Sequence, residues 1–372
     1  MMETYLKNEE KVVFSLRSIY EQFGYRKYKM NQFEEYELYV RNKDFLLSDA
    51  VITFTDTNGK LMAMKPDVTL SIIKNSENKP NSIQKLYYNE NVYRVSRHSD
   101  SFKEIMQVGL ECIGDIDSYC IYEVVMLAAK SLRAVSENAI LDISHMGILS
   151  DIIDALSLSG AQCKQILKCI EEKNLHELTN LCEAFGVEAQ SSLLLQDLIK
   201  LYGKAATVLP QLEKILKNTC AWESFLELKE IVELAAGSDI EDSLRIDFSV
   251  INDIKYYNGI IFRGFSEGIP AAVLSCWQYD KLMRKMKREF GAVGFAVYLD
   301  LFEQFFKTEA PYDTDYLLLY EKSESPQNIR KAVEALSKKG SVLALRKMPE
   351  QLKYKTLVTL KNGEVITTDE LS

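Results

Sequence analysis

The chain has few of the residues that build metal and disulfide sites. It carries three histidines, His98, His145 and His176, and none stands at metal-ligand spacing from another. Its seven cysteines (Cys112, Cys120, Cys163, Cys169, Cys182, Cys220, Cys276) include no C-x-x-C pair and read as reduced thiols. No apolar run approaches the roughly 20 residues that cross a bilayer, and the opening residues show no apolar signal segment, so a cytoplasmic location is expected. The absence of G-x-G-x-x-G and P-loop motifs excludes the phosphate-cradling loops of many nucleotide enzymes. We expect no membrane association, no metal and no cofactor. Positive charge is also short: 45 Lys and Arg face 54 Asp and Glu, a net charge of -9. A nucleic-acid binder with this balance needs a concentrated basic stripe. The candidates, Lys281–Arg288 and the scattered cations of Arg346–Lys361, read more readily as solvated faces, so tRNA is not an expected partner.

What is present is a globular balance, 47% hydrophobic and 27% charged over 372 residues, enough for two or three domains. Val12, Val13, Leu16, Ile19, Tyr20 and Phe23 recur at helical spacing and predict an opening helix stopped near Gly24. Short β-rich runs follow (YELYVR, AVITFTD, LMAMK, KLYYNENVYRV, IMQVGLECIG), with a hairpin turn at Asp56–Gly59 and then a helix near Ser118–Ser136. From about Ser144 to Ser238 the texture is Leu-rich and helical, with stop signals at Gly160, Asn174, Gly186, Gly203, Asn218 and Gly237. Strand texture returns at Leu244–Phe265 and Ala271–Cys276, and the apolar stretch Val293–Leu299 leads into a further helix. Past a linker at Thr308–Thr314 lies a small β-α-β-β unit, its helix capped by Ser325 and its last hairpin turned at Asn362–Gly363. The fold class is therefore α+β. The expected division is a core of 1–140 and 241–308, a helical insertion of 141–240 and a C-terminal domain of 309–372.

One segment concentrates unusual chemistry. In MQVGLECIG, strand alternation puts Gln107, Gly109 and Glu111 on one face, and Met106, Val108, Leu110 and Cys112 on the other. The polar face can grip the two ends of a small polar molecule, because Gln107 and Glu111 stand about 13 Å apart at Cα and Gly109 leaves room against the backbone. An ordinary solvent-facing sheet surface explains the same alternation.

Lys65–Thr69 (KPDVT), Tyr87–Arg94 (YYNENVYR), Gln107–Glu111 (QVGLE), Lys255–Phe262 (KYYNGIIF), Gln278–Leu282 (QYDKL) and Gly294–Leu299 (GFAVYL) follow one another in this order. In order and spacing they resemble the motifs of histidyl-tRNA synthetase and its paralogues, over about the first 308 residues. The resemblance implies a class II synthetase-like antiparallel sheet flanked by helices, and a dimer. It also implies a histidine pocket. Asp67, Thr69 and Gln107 match groups at the substrate ammonium, and Glu111 and Tyr257 match groups at the imidazole. Arg94 matches the motif-2 arginine, and Tyr279 the tyrosine of a G-G-R-Y-D motif. Such a set suits a zwitterion bearing a ring N–H.

The departures fall on the ATP side. Asn252 and Leu301 stand where catalytic arginines are expected, Ser96 replaces a motif-2 acid and Ser101 a basic residue. Ser275-Cys276-Trp277 replaces a glycine run, with Gln278 in place of the next arginine. Adenylation depends on cations placed against phosphate, so losing several together argues against it and leaves no catalytic residues to assign. The branch that fits is that of the paralogues regulating ATP phosphoribosyltransferase, which share the P-D-x-T variant seen at Pro66–Thr69. That branch implies a short-form catalytic partner, a homodimer within a hetero-oligomer, and free histidine as effector. The chain departs from it in lacking a P-x-G-x-x-D opening and in having Asn31 where a motif-1 proline is common. A divergent amino-acid-activating enzyme and a scaffold with a vestigial pocket are the alternatives.

Overall fold

In the computed structural model of the chain, residues 8–46, 51–77, 79, 81–95, 101–251, 257–302 and 312–368 are described. Asn252 and Ser96 lie outside them. The chain divides into two compact units, residues 1–304 and 305–372.

The first unit opens with α1 (Asn8–Gln22), ended by Gly24 at φ +81°. A short strand β1 (Arg26–Lys27) follows, then β2 (Phe33–Glu35), α2 (Tyr36–Val40), β3 (Thr53–Thr55), β4 (Leu61–Met64) and α3 (Thr69–Asn75). Strands β2, β4 and β3 form a small antiparallel sheet, with Asp56–Gly59 turning the β3–β4 hairpin. The expected strand YELYVR is instead mostly α2. Here Glu37 and Arg41 pair across one turn, and the Asn42 side chain donates to the Leu38 carbonyl at 2.9 Å. These local i,i+4 contacts outweigh the β propensity of its tyrosines and valine.

A long hairpin, β5 (Ile83–Val95) and β6 (Phe102–Gly114), leads into α4 (Ser118–Val135) and β7 (Ala139–His145). Six helices come next: α5 (Met146–Ala155), α6 (Gly160–Glu171), α7 (Leu175–Ala184), α8 (Ala189–Lys200), α9 (Ala205–Leu216) and α10 (Trp222–Ala235). Between α8 and α9 runs the strand β8 (Tyr202–Lys204). Then come β9 (Leu244–Asp247), β10 (Ile260–Ser266), β11 (Leu274–Gln278), α11 (Asp280–Lys285) and β12 (Gly291–Tyr298), which ends in a 3-10 turn at Leu299–Phe302. The strands assemble in the order β1-β5-β6-β12-β11-β10-β7-β9-β8. The run from β5 to β7 is antiparallel as expected. The outer pairs β1–β5 and β7–β9 are parallel, so the sheet is mixed.

Three of the expected helix stops hold: Gly186, Asn218 and Gly237 have φ of 70°, 66° and 72°. The other three do not. Ser159 caps α6, so Gly160 begins a helix; Asn174 caps α7 by accepting from Glu177 N at 3.0 Å; Gly203 sits within β8. In a tightly linked helical array one helix's end adjoins the next one's start, and Gly and Asn serve both.

One face of the large sheet carries Leu110, Phe295, Cys276 and Phe262 in cross-strand register, all buried. Tyr20 of α1 meets Phe295 edge-on at 6.1 Å, and its hydroxyl bonds Ser131 of α4 at 2.9 Å. Helices thus cover this face and leave the opposite one for polar residues. The second unit holds β13 (Thr314–Tyr320), α12 (Pro326–Ser337), β14 (Val342–Leu345), β15 (Tyr354–Lys361) and β16 (Glu364–Thr368), in the sheet order β14-β13-β15-β16. Ser325 caps α12 through the Asn328 N–H, and Leu318, Ala332, Leu336, Val358 and Leu360 form its core. Positive φ at Asn362 and Gly363 turns the last hairpin.

Phe295 is the keystone of the helix-covered face, so Phe295→Ala should cost about 3–5 kcal/mol by urea denaturation, against about 0.5 kcal/mol or less for Phe14→Ala on exposed α1 surface. Equal shifts would mean that the sheet does not pack on α1 as described.

Candidate functional site

On the other face of the sheet, Gln107 and Glu111 do share one side of β6, but that side is not solvent-facing. Both side chains are 2% exposed, because β5 and β12 pair with β6 along its length and chain from residues 65–71 contributes buried groups beside it. The room expected at Gly109 is also taken. A Cβ there would lie 2.3 Å from the Phe295 carbonyl and 2.6 Å from the Tyr88 hydroxyl, so Tyr88 occupies the gap. Tyr88 sits inside one of the quoted motifs, yet sequence alone gave it no role. Its cross-strand pairing with Gly109 is the signal that finds it.

Glu111 is the centre. Its Oε1 accepts from the Thr69 hydroxyl at 2.7 Å and its Oε2 from the Tyr279 hydroxyl at 2.6 Å. The carboxyl rests over Gly294 of β12, where a Cβ would come within 1.7 Å of Oε2. Burial raises its pKa to about 8; the two hydroxyls oppose the rise and Asp67 adds to it. Tyr279 and Tyr88 are likewise pushed well above the ordinary phenol value by burial and by Glu111.

Asp67 uses Oδ1 to accept from the Leu70 N–H at 2.9 Å, capping α3, while Oδ2 faces Arg94 at 3.8 Å. Its carboxyl is shifted up by burial, against the pull of Arg94. Arg94 is anchored by its Nε donating to the Pro66 carbonyl at 2.8 Å. Gln107 Nε2, a buried donor, has no partner among the described residues. Tyr257 stands in a line of rings, 5.9 Å from Phe45 and 6.0 Å from Trp277. Thr69, Glu111 and Tyr279 are therefore joined directly, Asp67 and Arg94 form a second pair, and Gln107 and Tyr257 are placed by strand register and ring packing.

Some motif residues serve the scaffold instead. Lys65 is buried in an ion pair with Glu90. Gln278 accepts from the Ile260 N–H at 3.1 Å and donates to Asp280 at 3.0 Å, with Asn258 donating to the same Asp280 oxygen at 2.9 Å. The side chain that stands in place of a family arginine thus ties β10 to the start of α11. No group of metal-ligating side chains occurs among the described residues.

A carboxyl held protonated up to about pH 8 binds a proton that the unfolded chain has already released. The stabilisation it contributes is whole below the ordinary carboxylate pKa and is lost as pH rises toward about 8. Melting curves of ligand-free protein between about pH 5.5 and pH 8.5 should show the parent losing stability relative to Glu111→Gln, which has no such titration. Parallel curves would contradict the burial of Glu111.

Comparison with known proteins bears on this geometry. The chain matches the histidyl-tRNA synthetase family over residues 2–301. Among curated relatives, the ATP phosphoribosyltransferase regulatory subunit of Clostridium kluyveri is 26% identical, covering 96% of this chain and 93% of its own. That of Oceanobacillus iheyensis is 25% identical over 80% of this chain and 74% of its own. The histidine–tRNA ligase of Methanocaldococcus jannaschii is 25% identical over 99% and 90%. In fold, the chain is similar to an ATP phosphoribosyltransferase regulatory subunit/histidyl-tRNA synthetase from Bacillus halodurans. The TM-score is 0.79 at 19% identity, with 94% of this chain and 93% of that one covered. A chain of the ATP phosphoribosyl transferase (HisG:HisZ) complex from Thermotoga maritima has a TM-score of 0.62 at 20% identity, over 79% and 98%. Identity alone does not separate regulator from ligase, but the match over most of its length establishes that the chain belongs to the histidyl-tRNA synthetase family.

Proposed function

We propose that the chain is the regulatory subunit of a two-component ATP phosphoribosyltransferase, acting at the first step of histidine biosynthesis and reading free histidine in the Glu111 site. The observation that carries this reading is a contrast between groups kept and groups replaced along the matching motifs. The Thr69–Glu111–Tyr279 hydrogen bonds are intact, while Leu301 replaces a family arginine and Ser275-Cys276-Trp277 a glycine run. The relatives named as regulatory subunits support it. The HisG:HisZ complex indicates the kind of assembly, with the transferase chemistry on a catalytic partner.

In this reading the ring N–H of histidine meets Glu111, with Tyr257 and Tyr279 beside it. Asp67, Thr69 and Gln107 take the ammonium end, and Arg94 takes the carboxylate. The unpaired Gln107 amide donor supports a ligand with an acceptor near that end. The expected division goes with this reading: a synthetase-like core of residues 1–140 and 241–308 carrying a helical insertion of 141–240, followed by a C-terminal domain of 309–372. A homodimer within the hetero-oligomer, working in the cytoplasm, completes the picture. No described helix is long and apolar enough to cross a membrane.

Co-expression with the short-form catalytic subunit should give a co-eluting complex whose activity neither chain has alone. Separate elution, with a fully active partner, would sink the assignment. Purified chain with histidine, ATP and magnesium should show no pyrophosphate exchange; robust exchange would make it an activating enzyme instead. Calorimetry should record histidine binding near the micromolar range, about -8 kcal/mol. Glu111→Ala should weaken it roughly tenfold, because the ring N–H is left without its acceptor at a cost of about 1–3 kcal/mol. No heat in the parent would reduce the pocket to a vestige on a scaffold.

A further inference from the structure

Trp277 is the one large side chain that the sequence sets into the glycine run, and its position bears on what the site accepts. Register fixes where it stands: Glu111 pairs with Gly294, and Gly294 with Trp277, so the three lie side by side on one face across β6, β12 and β11. Cross-strand neighbours are about 4.8 Å apart, so Trp277 and Glu111 stand about 10 Å apart at Cα, with between them a glycine that the Glu111 carboxyl covers. The indole leans on Tyr257 at 6.0 Å with 33° between the ring planes, and Tyr257 leans on Phe45 at 5.9 Å. Trp277 is itself only partly buried. The Glu111 carboxyl itself lies over Gly294, so a planar ring that donates N–H to it from the β11 side has the carboxyl before it and the end of an aromatic shelf beside it.

We infer that Trp277 is a specificity wall: it stacks against the ring of the bound amino acid and limits the site to a single five- or six-membered ring. This rests on the histidine reading and names a feature of the site that the family motif, with glycine there, cannot have. Offset or edge contacts between rings add about 0.5–1.5 kcal/mol beyond area, enough for a severalfold effect on affinity.

The chain has two tryptophans, and Trp222 lies on α10 against Phe225, so Trp222→Phe leaves Trp277 as the sole indole reporter. Titrating histidine into that variant should change Trp277 emission with the midpoint found by calorimetry. Trp277→Gly should bind histidine about fivefold more weakly, or worse, and should gain binding of L-tryptophan, whose indole N–H can reach Glu111 through the vacated space. Trp277→Phe should retain histidine and still refuse tryptophan, which guards against a merely unfolded glycine variant. Histidine heat in the parent with silent emission, or with Trp277→Gly unchanged towards both ligands, overturns the wall and leaves the histidine site standing. Heat only in Trp277→Gly would mean that the indole fills the ligand's own place, against both the wall and histidine sensing by the natural chain. No heat in the parent or either Trp277 variant removes the histidine reading and the wall with it.

Discussion

A carboxyl with 2% exposure in the middle of a sheet is the constraint around which the first unit is built. Removing Glu111 from water costs several kcal/mol in its charged form, so the protein either neutralises it or surrounds it with donors. It does both: the pKa rises to about 8, and two hydroxyls from distant parts of the chain converge on the two oxygens. Meeting those conditions dictates much else. Position 294 must be glycine for the carboxyl to lie flat, Thr69 must begin α3 at the right height, and Tyr279 must leave β11 so that its ring turns inward. A leucine in place of Glu111 would fill such a site at far less cost in burial, which makes a recognition role the economical explanation of an acid there.

The same motifs divide into groups that hold the fold and groups that face the site. Lys65 and Glu90 neutralise one another in the interior, Asp67 spends one oxygen capping α3, and Gln278 joins two strand ends to a helix start. Such positions can outlast the loss of an activity because their removal would leave buried polar atoms unpaired. Their presence is thus weak testimony about chemistry. Gln107 is stronger testimony, since its buried amide donor lacks a protein partner among the described residues and contributes nothing visible to stability.

This division also explains what could be read in advance. Strand alternation correctly paired Gln107 with Glu111 and set Leu110 and Cys112 against helices, because a period of two leaves no other choice once one face is apolar. The C-terminal unit was legible for a similar reason: Ser325, Pro326 and Asn362–Gly363 are local signals whose partners lie within a few residues. What escaped depends on contacts remote in sequence. Nothing near Tyr88 announces that its hydroxyl fills the space over Gly109, and nothing near Gln278 announces its bond to Ile260. Within one α2-sized segment, the Glu37–Arg41 pair outweighed residue types that favour strands. The helix stops at Gly160, Asn174 and Gly203 failed because those residue types mark boundaries without marking which side of the boundary they occupy.

The pattern of loss has a physical logic. Adenylation must accommodate the multiple negative charges of a nucleoside triphosphate, which requires several cations held in place. A free amino acid is a zwitterion, and its recognition needs one cation, a few acceptors and a partner for its side chain. Leu301, where the resemblance implies an arginine, takes a cation from the first task and touches none of the groups proposed for the second. A ring N–H bound to Glu111 as proposed would compete with the hydroxyls of Thr69 and Tyr279 for its oxygens, and those two residues begin α3 and immediately precede α11. Since a ligand shifts an equilibrium only through contacts that differ between two states, under the proposed function these helix starts are where occupancy of the site would first be felt by the rest of the chain.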